Sequence, residues 1–112
     1  MQIPDIDITP THWQIVRDIL QKHVPDKEVW AFGSRAKRSA RKYSDLDLVI
    51  VTDKPLGLDT SAALSDDFAE SDLPFKVDIV DWATTSESFR RIIEQEKVAL
   101  QKGTRAPSNQ SA

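Results

Sequence analysis

Two features of the sequence stand out, a turn and a pair of acidic residues. Together they could bind a nucleoside triphosphate. The pair Gly33-Ser34 is followed, after ten residues, by Asp45-Leu46-Asp47. Glycine lets the backbone come close to a phosphate, and the free amides at the start of a helix attract anions. Because alternate residues of a strand point to the same face, Asp45 and Asp47 project together and repel each other, and a divalent cation would relieve that repulsion. The combination predicts phosphoryl or nucleotidyl transfer on bound magnesium.

A third carboxylate, Asp78, lies between two apolar residues of a predicted strand, which is an unusual position for an acid. If that strand lies beside the strand of Asp47, three carboxylates converge, and three are enough to hold two metal ions. The alternative is that Asp45 caps a turn while the other two acids are solvated strand residues; their combination with the Gly-Ser turn favours metal binding. Asp81 is a competing candidate for the third acid, and the apolar neighbours favour Asp78.

Five basic residues between the turn and the acids could contact a triphosphate or an acidic partner; they are Arg35, Lys37, Arg38, Arg41 and Lys42. A solvated helix face is the alternative interpretation. We assign a nucleotide-binding role to Arg35, which is nearest the turn, and leave both interpretations open for the other four. The turn is not a Walker A loop, because the Gly-Lys-Ser/Thr ending is missing. The three glycines of the chain also exclude a dinucleotide-binding fingerprint.

Length, charge and cysteine content limit the class of protein. The 112 residues fit one domain and leave no room for a second substrate-binding domain. The net charge of -3 argues against nucleic-acid binding through bulk charge. The chain has no cysteine, which excludes disulfides, cysteine zinc sites and thiol catalysis. The first residues include Asp5 and Asp7 and no long apolar run, so a cytoplasmic protein is the default expectation.

The predicted elements alternate between helices and strands. Apolar spacing and end signals predict helices over 10–23, 34–41 and 60–71. A further helix is predicted from Thr84; its apolar residues continue to Leu100, and Gly103 is placed to end it. Strands are predicted over 28–32, 46–52 and 75–80. This order predicts an α/β (α+β) fold, with a small mixed β-sheet of about three strands and flanking helices. Residues 1–103 are expected to form the domain, and the polar residues 104–112 a disordered tail.

Three short motifs resemble those of the nucleotidyltransferase superfamily that includes DNA polymerase β. They are Phe32-Gly33-Ser34, Asp45-Leu46-Asp47-Leu48 and Val77-Asp78-Ile79. The small size, the Gly-Ser-Arg-Ala start and the Ser-Asp-Leu-Asp-Leu sequence resemble the minimal nucleotidyltransferases of prokaryotes, the MNT proteins. The resemblance covers about residues 10–103 and implies the polymerase β-like fold. In one departure, many relatives carry glycine shortly after Gly-Ser-Arg-Ala, where this chain has Lys37-Arg38.

The resemblance also implies ligands, a partner and a reaction. Mg²⁺, with two ions expected, and a nucleoside triphosphate would bind at Gly33, Ser34, Asp45, Asp47 and Asp78. MNT proteins are typically paired with a helical HEPN-type ribonuclease and act as its antitoxin by transferring AMP from ATP to a tyrosine. Two alternatives stay open: a non-catalytic nucleotide-binding subunit that neutralises its partner by binding, and nucleotidyl transfer to a small molecule such as an aminoglycoside. No direct nucleic-acid or membrane partner is expected.

Overall fold

A computed structural model describes residues 3–103 and contains a four-stranded sheet with helices on both faces. The helices are α1 (Pro10–His23), α2 (Gly33–Ala36), α3 (Leu58–Glu70) and α4 (Glu87–Glu96), with a 3-10 turn at Trp82–Thr84. The strands are β1 (Glu28–Phe32), β2 (Leu46–Val51), β3 (Val77–Asp81) and β4 (Val98–Gln101). Within residues 3–103, no helix is both long and apolar enough to cross a bilayer. The tail predicted for residues 104–112 lies outside the described residues.

The sheet has the order β3-β2-β1-β4 and is mixed, as the sequence predicts, although it has four strands instead of about three. β1 pairs antiparallel with both β2 and β4, whereas β2 and β3 run parallel. Parallel neighbours need a crossover connection, and α3 supplies it between β2 and β3. The parallel pair therefore brings the start of β3 next to the start of β2.

Strand alternation divides the core between the two faces of the sheet. On one face, α1 and α3 pack over alternate residues of β2, which are Leu46, Leu48 and Ile50. The other face holds a smaller cluster of Trp30, Phe32, Val49 and Ile93, the last of these from α4. Because Asp47 alternates with its two buried neighbours, it shares the α4 face with Val49. The acids of the site therefore lie on the α4 side of the sheet.

The end of the chain differs from the predicted continuous helix. α4 ends at Glu96, and the following Val98–Gln101 forms β4 on the free edge of β1. The predicted helical stripe through Leu100 to Gly103 is therefore wrong, because pairing with β1 satisfies backbone groups that an open edge would leave exposed. The helix also begins later than predicted, since its N-cap is Ser86 and not Thr84; the Ser86 hydroxyl accepts a hydrogen bond from the amide of Phe89, at 3.3 Å.

The short helix after the Gly-Ser turn ends earlier than predicted, at Ala36 and not near residue 41. Arg38 follows with a φ of 61°, a left-handed conformation that costs a residue with a side chain about 1 kcal/mol. Its guanidinium donates to Asp5 at 2.9 Å and lies 3.0 Å from Asp7. The two ion pairs are therefore made by a residue in a backbone conformation that glycine adopts more easily than other residues do.

Candidate active site

β2 and β3 bring two of the three predicted carboxylates side by side. In the parallel pair, Asp47 is in direct register with Asp78. Adjacent strands lie about 4.8 Å apart, and residues in register point to the same face. Lys76 forms an ion pair with one of them, with its Nζ 3.5 Å from Asp78 Oδ1. The third acid of the site is therefore Asp78, at the start of β3.

Asp81 lies at the other end of β3 and has a structural role. Its carboxylate accepts hydrogen bonds from the hydroxyl of Thr52, from the amide of Leu56 at 2.6 Å and from the amide of Ala83 at 3.2 Å. These bonds join the loop after β2 to the 3-10 turn. Of the two candidates for the third acid, Asp78 is therefore the one in register with Asp47, and Asp81 is occupied by hydrogen bonds within the scaffold.

Replacement of Asp81 by alanine should destabilise the fold without removing the site. We expect Asp81→Ala to lower the free energy of unfolding by about 2–3 kcal/mol, because three donors lose a charged acceptor. Urea denaturation checks the loss, with Asp53→Ala, which removes an exposed acid nearby, as the control. If the folded fraction of Asp81→Ala lost nucleotide binding, the purely structural role would be contradicted.

Burial and like charges make Asp47 the electrostatic centre of the site. Its pKa is raised from 3.8 to about 6, first by burial and then by the negative charges of Asp78, Asp45 and Glu96. Asp45 itself is exposed and lies one residue before β2. The negative charges that raise the proton affinity of Asp47 also attract cations. The charge distribution therefore fits the predicted binding of a divalent cation.

The acids do not by themselves form a closed metal cage. Among residues 3–103, no three carboxylate, imidazole or thiol side chains are placed to enclose a metal ion. Magnesium is usually held by one or two carboxylates together with water and substrate phosphates, and it seldom occupies an all-protein cage. The open arrangement of Asp45, Asp47 and Asp78 therefore fits a metal that is shared with a nucleotide.

The Gly-Ser turn lies against the central acid. Gly33 follows β1, where Phe32 is in register with Asp47, and has a φ of 78°. A Cβ on this glycine would overlap Asp47 Oδ2 and lie 3.2 Å from Asp47 Cγ. Only glycine therefore allows the turn and the carboxylate to pack this closely. Ser34 follows directly, so the structure brings the predicted phosphate-binding turn and the predicted metal ligands together.

The side chain of Arg35 serves the scaffold and does not reach into the site. It is 6% exposed and stacks on Phe75, with the guanidinium carbon 3.9 Å from the ring centroid. Its three nitrogens donate to backbone carbonyls at 2.8, 2.8 and 3.2 Å, those of Ser44, Asp7 and Lys42. These bonds shape the loop before Asp45. The contacts do not support the nucleotide-binding role that its position in the sequence predicted for this side chain.

One residue of the site was missed by the sequence analysis. Glu96, at the end of α4, accepts a hydrogen bond from the Gly33 amide at 2.9 Å. Its other oxygen lies 3.6 Å from Lys37 Nζ, so one of the basic residues after the turn is paired within the protein. No local signal marks Glu96, because its partner in the turn is 63 residues away.

The fold and the site together define a class of protein. Residues 14–104 match the family described as polymerase beta, nucleotidyltransferase, and the chain belongs to this family. The resemblance seen in the sequence motifs is thereby confirmed. The chain is also similar to the probable protein adenylyltransferase MntA of Haemophilus influenzae. The two are 53% identical over 96 residues, which cover 86% of this chain and 84% of that protein.

Solved structures support the same fold. A toxin-antitoxin crystal structure with AMP-PNP contains a chain that matches with a TM-score of 0.68 at 20% identity, covering 82% of this chain and 74% of that one. A complex of tri-AMPylated HEPN toxin with MNT antitoxin from Shewanella oneidensis matches with a TM-score of 0.63 at 19% identity, covering 82% and 71%. At such identities the likeness supports the fold alone, and it confirms the polymerase β-like architecture.

Proposed function

We propose that this chain is an Mg²⁺-dependent protein adenylyltransferase that transfers AMP from ATP to a hydroxyl, most simply a tyrosine, of a helical HEPN-type partner and thereby acts as its antitoxin. The observation that carries the proposal is the packing of the Gly33 turn against Asp47, in register with Asp78. The acceptor class is supported by the 53% identity to a protein named adenylyltransferase. We place the reaction in the cytoplasm, where ATP and magnesium are plentiful.

Each residue of the site has a role in this proposal. Asp45, Asp47 and Asp78 would hold Mg²⁺, with two ions expected. Bound Mg²⁺ would neutralise charge on the triphosphate and on the attacking oxygen. Gly33 permits the close approach of the turn, and Ser34 offers an amide and a hydroxyl to the β- and γ-phosphates. Most of the catalysis then comes from positioning and from charge stabilisation.

The transfer itself is a substitution at the α-phosphorus of ATP. The acceptor hydroxyl oxygen forms a bond to this phosphorus, the bond to the bridging oxygen of the β-phosphate breaks, and pyrophosphate leaves. The hydroxyl proton passes to the Asp78 carboxylate, which is partly exposed at 42% and so can be reached by an acceptor from outside. In this proposal the acceptor hydroxyl, which is the second substrate, comes from the partner.

Labelling of the co-purified proteins tests the proposal. The protein is isolated from its own cells with whatever binds to it, incubated with Mg²⁺ and α-labelled ATP, and resolved by mass. We expect label on a second, helical protein, and analysis of that protein locates the modified side chain. A stable partner that takes no label would favour the non-catalytic subunit. Label on a small molecule would favour the aminoglycoside-type alternative.

Nucleotide binding can be tested without any acceptor. With Mg²⁺ and ATP at about a hundred times the dissociation constant, the folded state should gain about 2.7 kcal/mol, which raises the melting temperature by on the order of 10 °C. Thermal unfolding measures the shift, with Mg²⁺ alone and ATP in EDTA as controls. An unchanged melting temperature with every nucleoside triphosphate would count against nucleotide binding.

A further inference from the structure

A carboxylate from the far end of the chain holds the first amide of the Gly-Ser turn. Glu96 Oε1 accepts from Gly33 N at 2.9 Å, and Glu96 Oε2 lies 3.6 Å from Lys37 Nζ. The Glu96 side chain is 21% exposed, so this contact is largely shielded from water. A hydrogen bond to an ionised acceptor is about twice as strong as a neutral one. The contact therefore fixes the turn to the end of α4.

The contact distinguishes the two residues of the turn, because Glu96 bonds to the amide of Gly33 and not to Ser34. Gly33 is the first residue of α2, and the first amides of a helix have no partner within the helix. Glu96 takes the amide of Gly33. The amide and the hydroxyl of Ser34 come next and are the groups that the turn can offer to a phosphate.

The turn held by Glu96 also lies directly against Asp47. Gly33 packs so closely on Asp47 that a Cβ would overlap the carboxylate. A turn held in this position cannot rotate freely to meet a nucleotide, and its orientation is set before the nucleotide arrives. Such preorganisation favours nucleotide binding, because the free energy of binding is not reduced by the cost of ordering the turn.

We propose that Glu96 is a positioning residue for nucleotidyl transfer, which holds the Gly33-Ser34 turn so that Ser34 faces the phosphates of ATP. The inference rests on the proposed function, since it requires nucleotide to bind at this turn. It excludes the opposite arrangement, in which a phosphate displaces the Glu96 carboxylate from the Gly33 amide.

Three variants separate the hydrogen bond from the charge. Glu96→Gln keeps an oxygen acceptor at the same reach, whereas Glu96→Ala removes it. Glu94→Ala is the matched control, because Glu94 is an exposed acid of the same helix that pairs with Lys97. We expect Glu96→Ala to weaken the binding of Mg²⁺ with AMP-PNP about tenfold, while Glu96→Gln stays within about threefold of the natural chain.

Kinetics of the transfer reaction provide a second measurement. In Glu96→Ala, KM for ATP should rise about tenfold with kcat within about threefold, since the residue acts on nucleotide placement and not on the reacting atoms. If Glu96→Ala does not fold, Glu96→Asp takes its place, because the shorter side chain keeps the charge but draws back from the amide. Unchanged or tighter nucleotide binding in Glu96→Ala would overturn the inference.

Glycine labelling observes the contact itself. The chain has three glycines, so ¹⁵N-glycine labelling gives three amide signals, assigned with Gly57→Ala and Gly103→Ala. The Gly33 amide should be protected from hydrogen exchange in the natural chain and in Glu96→Gln, and should lose protection in Glu96→Ala. Protection should persist when Mg²⁺ and AMP-PNP are added. Loss of protection on nucleotide binding would mean that the phosphate displaces Glu96.

The two proposals fail in different ways. If the natural chain binds no nucleoside triphosphate, the proposed function fails and the Glu96 inference fails with it. If the natural chain binds AMP-PNP and Glu96→Ala binds it equally well, the inference about Glu96 alone fails, and the proposed function stands.

Discussion

Asp47→Asn is expected to reduce AMP transfer by at least about a thousandfold while the fold stays intact. Asparagine keeps the shape of the side chain but lacks the negative charge that holds a divalent cation. Asp47 is also the central acid of the three, because it is in register with Asp78 and its pKa responds to the charge of Asp45. Initial rates of label transfer from α-labelled ATP to the co-purified partner, in the presence of Mg²⁺, measure the effect.

The matched control removes the same charge elsewhere. Asp66 is an exposed residue of α3, on the opposite face of the sheet, and Asp66→Asn should transfer AMP at the natural rate. Circular dichroism establishes that both variants are folded. An Asp47→Asn protein that stays active with Mg²⁺ would contradict the assignment of Asp47 as a metal ligand.

The same variant should be more stable than the natural chain when no metal is present. The pKa of Asp47 is about 6 in the folded protein, above its ordinary value of 3.8, so the folded state binds this proton more tightly than the unfolded state. The contribution of Asp47 to stability therefore falls as pH rises through this range. At pH 7 we expect Asp47→Asn to be more stable by about 1 kcal/mol, after allowance for solvent screening of a half-buried group.

Urea denaturation in EDTA at two pH values tests this electrostatic cause. The stability difference between Asp47→Asn and the natural chain should be largest at about pH 7 and shrink towards about pH 3, below both pKa values, where Asp47 is largely protonated in the folded and the unfolded state. A difference that does not change with pH would instead reflect packing of the amide group.

Much of the fold could be predicted because its signals are local. The bounds of α1 and β1 agree with the sequence prediction, since Thr9 and Pro10 mark a helix start and Gly33 ends the strand. β4 could not be predicted in this way. Leu100 continues the apolar spacing of the preceding helix, and only pairing with β1, about 70 residues earlier, makes Val98–Gln101 a strand.

The candidate site shows the same division between local and distant information. Residue type and spacing were enough to select Gly33, Asp47 and Asp78, and the structure brings these together. The contacts of the Arg35 side chain could not be predicted, because its partners are backbone carbonyls, which carry no sequence signature. Glu96 was missed because its contact with the turn depends on where α4 ends.

Gly33→Ala should abolish most activity by moving the central acid. The new Cβ would overlap Asp47 Oδ2, and the residue would have to keep a φ of 78°. Relief of the overlap requires the turn or the carboxylate to shift, and a misplacement of about 1 Å can cost about a hundredfold in rate. We expect transfer to fall by about that factor and the free energy of unfolding to fall by about 2 kcal/mol. Initial rates and urea denaturation measure the two effects.

Gly57→Ala is the control that separates position from residue type. A Cβ at Gly57 meets no atom within 4 Å, and its φ is -62°, so this variant should keep full transfer activity and lose less than about 1 kcal/mol. If Gly33→Ala is folded but inactive while Gly57→Ala is active, the reaction requires the contact between the turn and Asp47. If both variants transfer AMP at the natural rate, close packing of the turn on the acid is not required for the reaction.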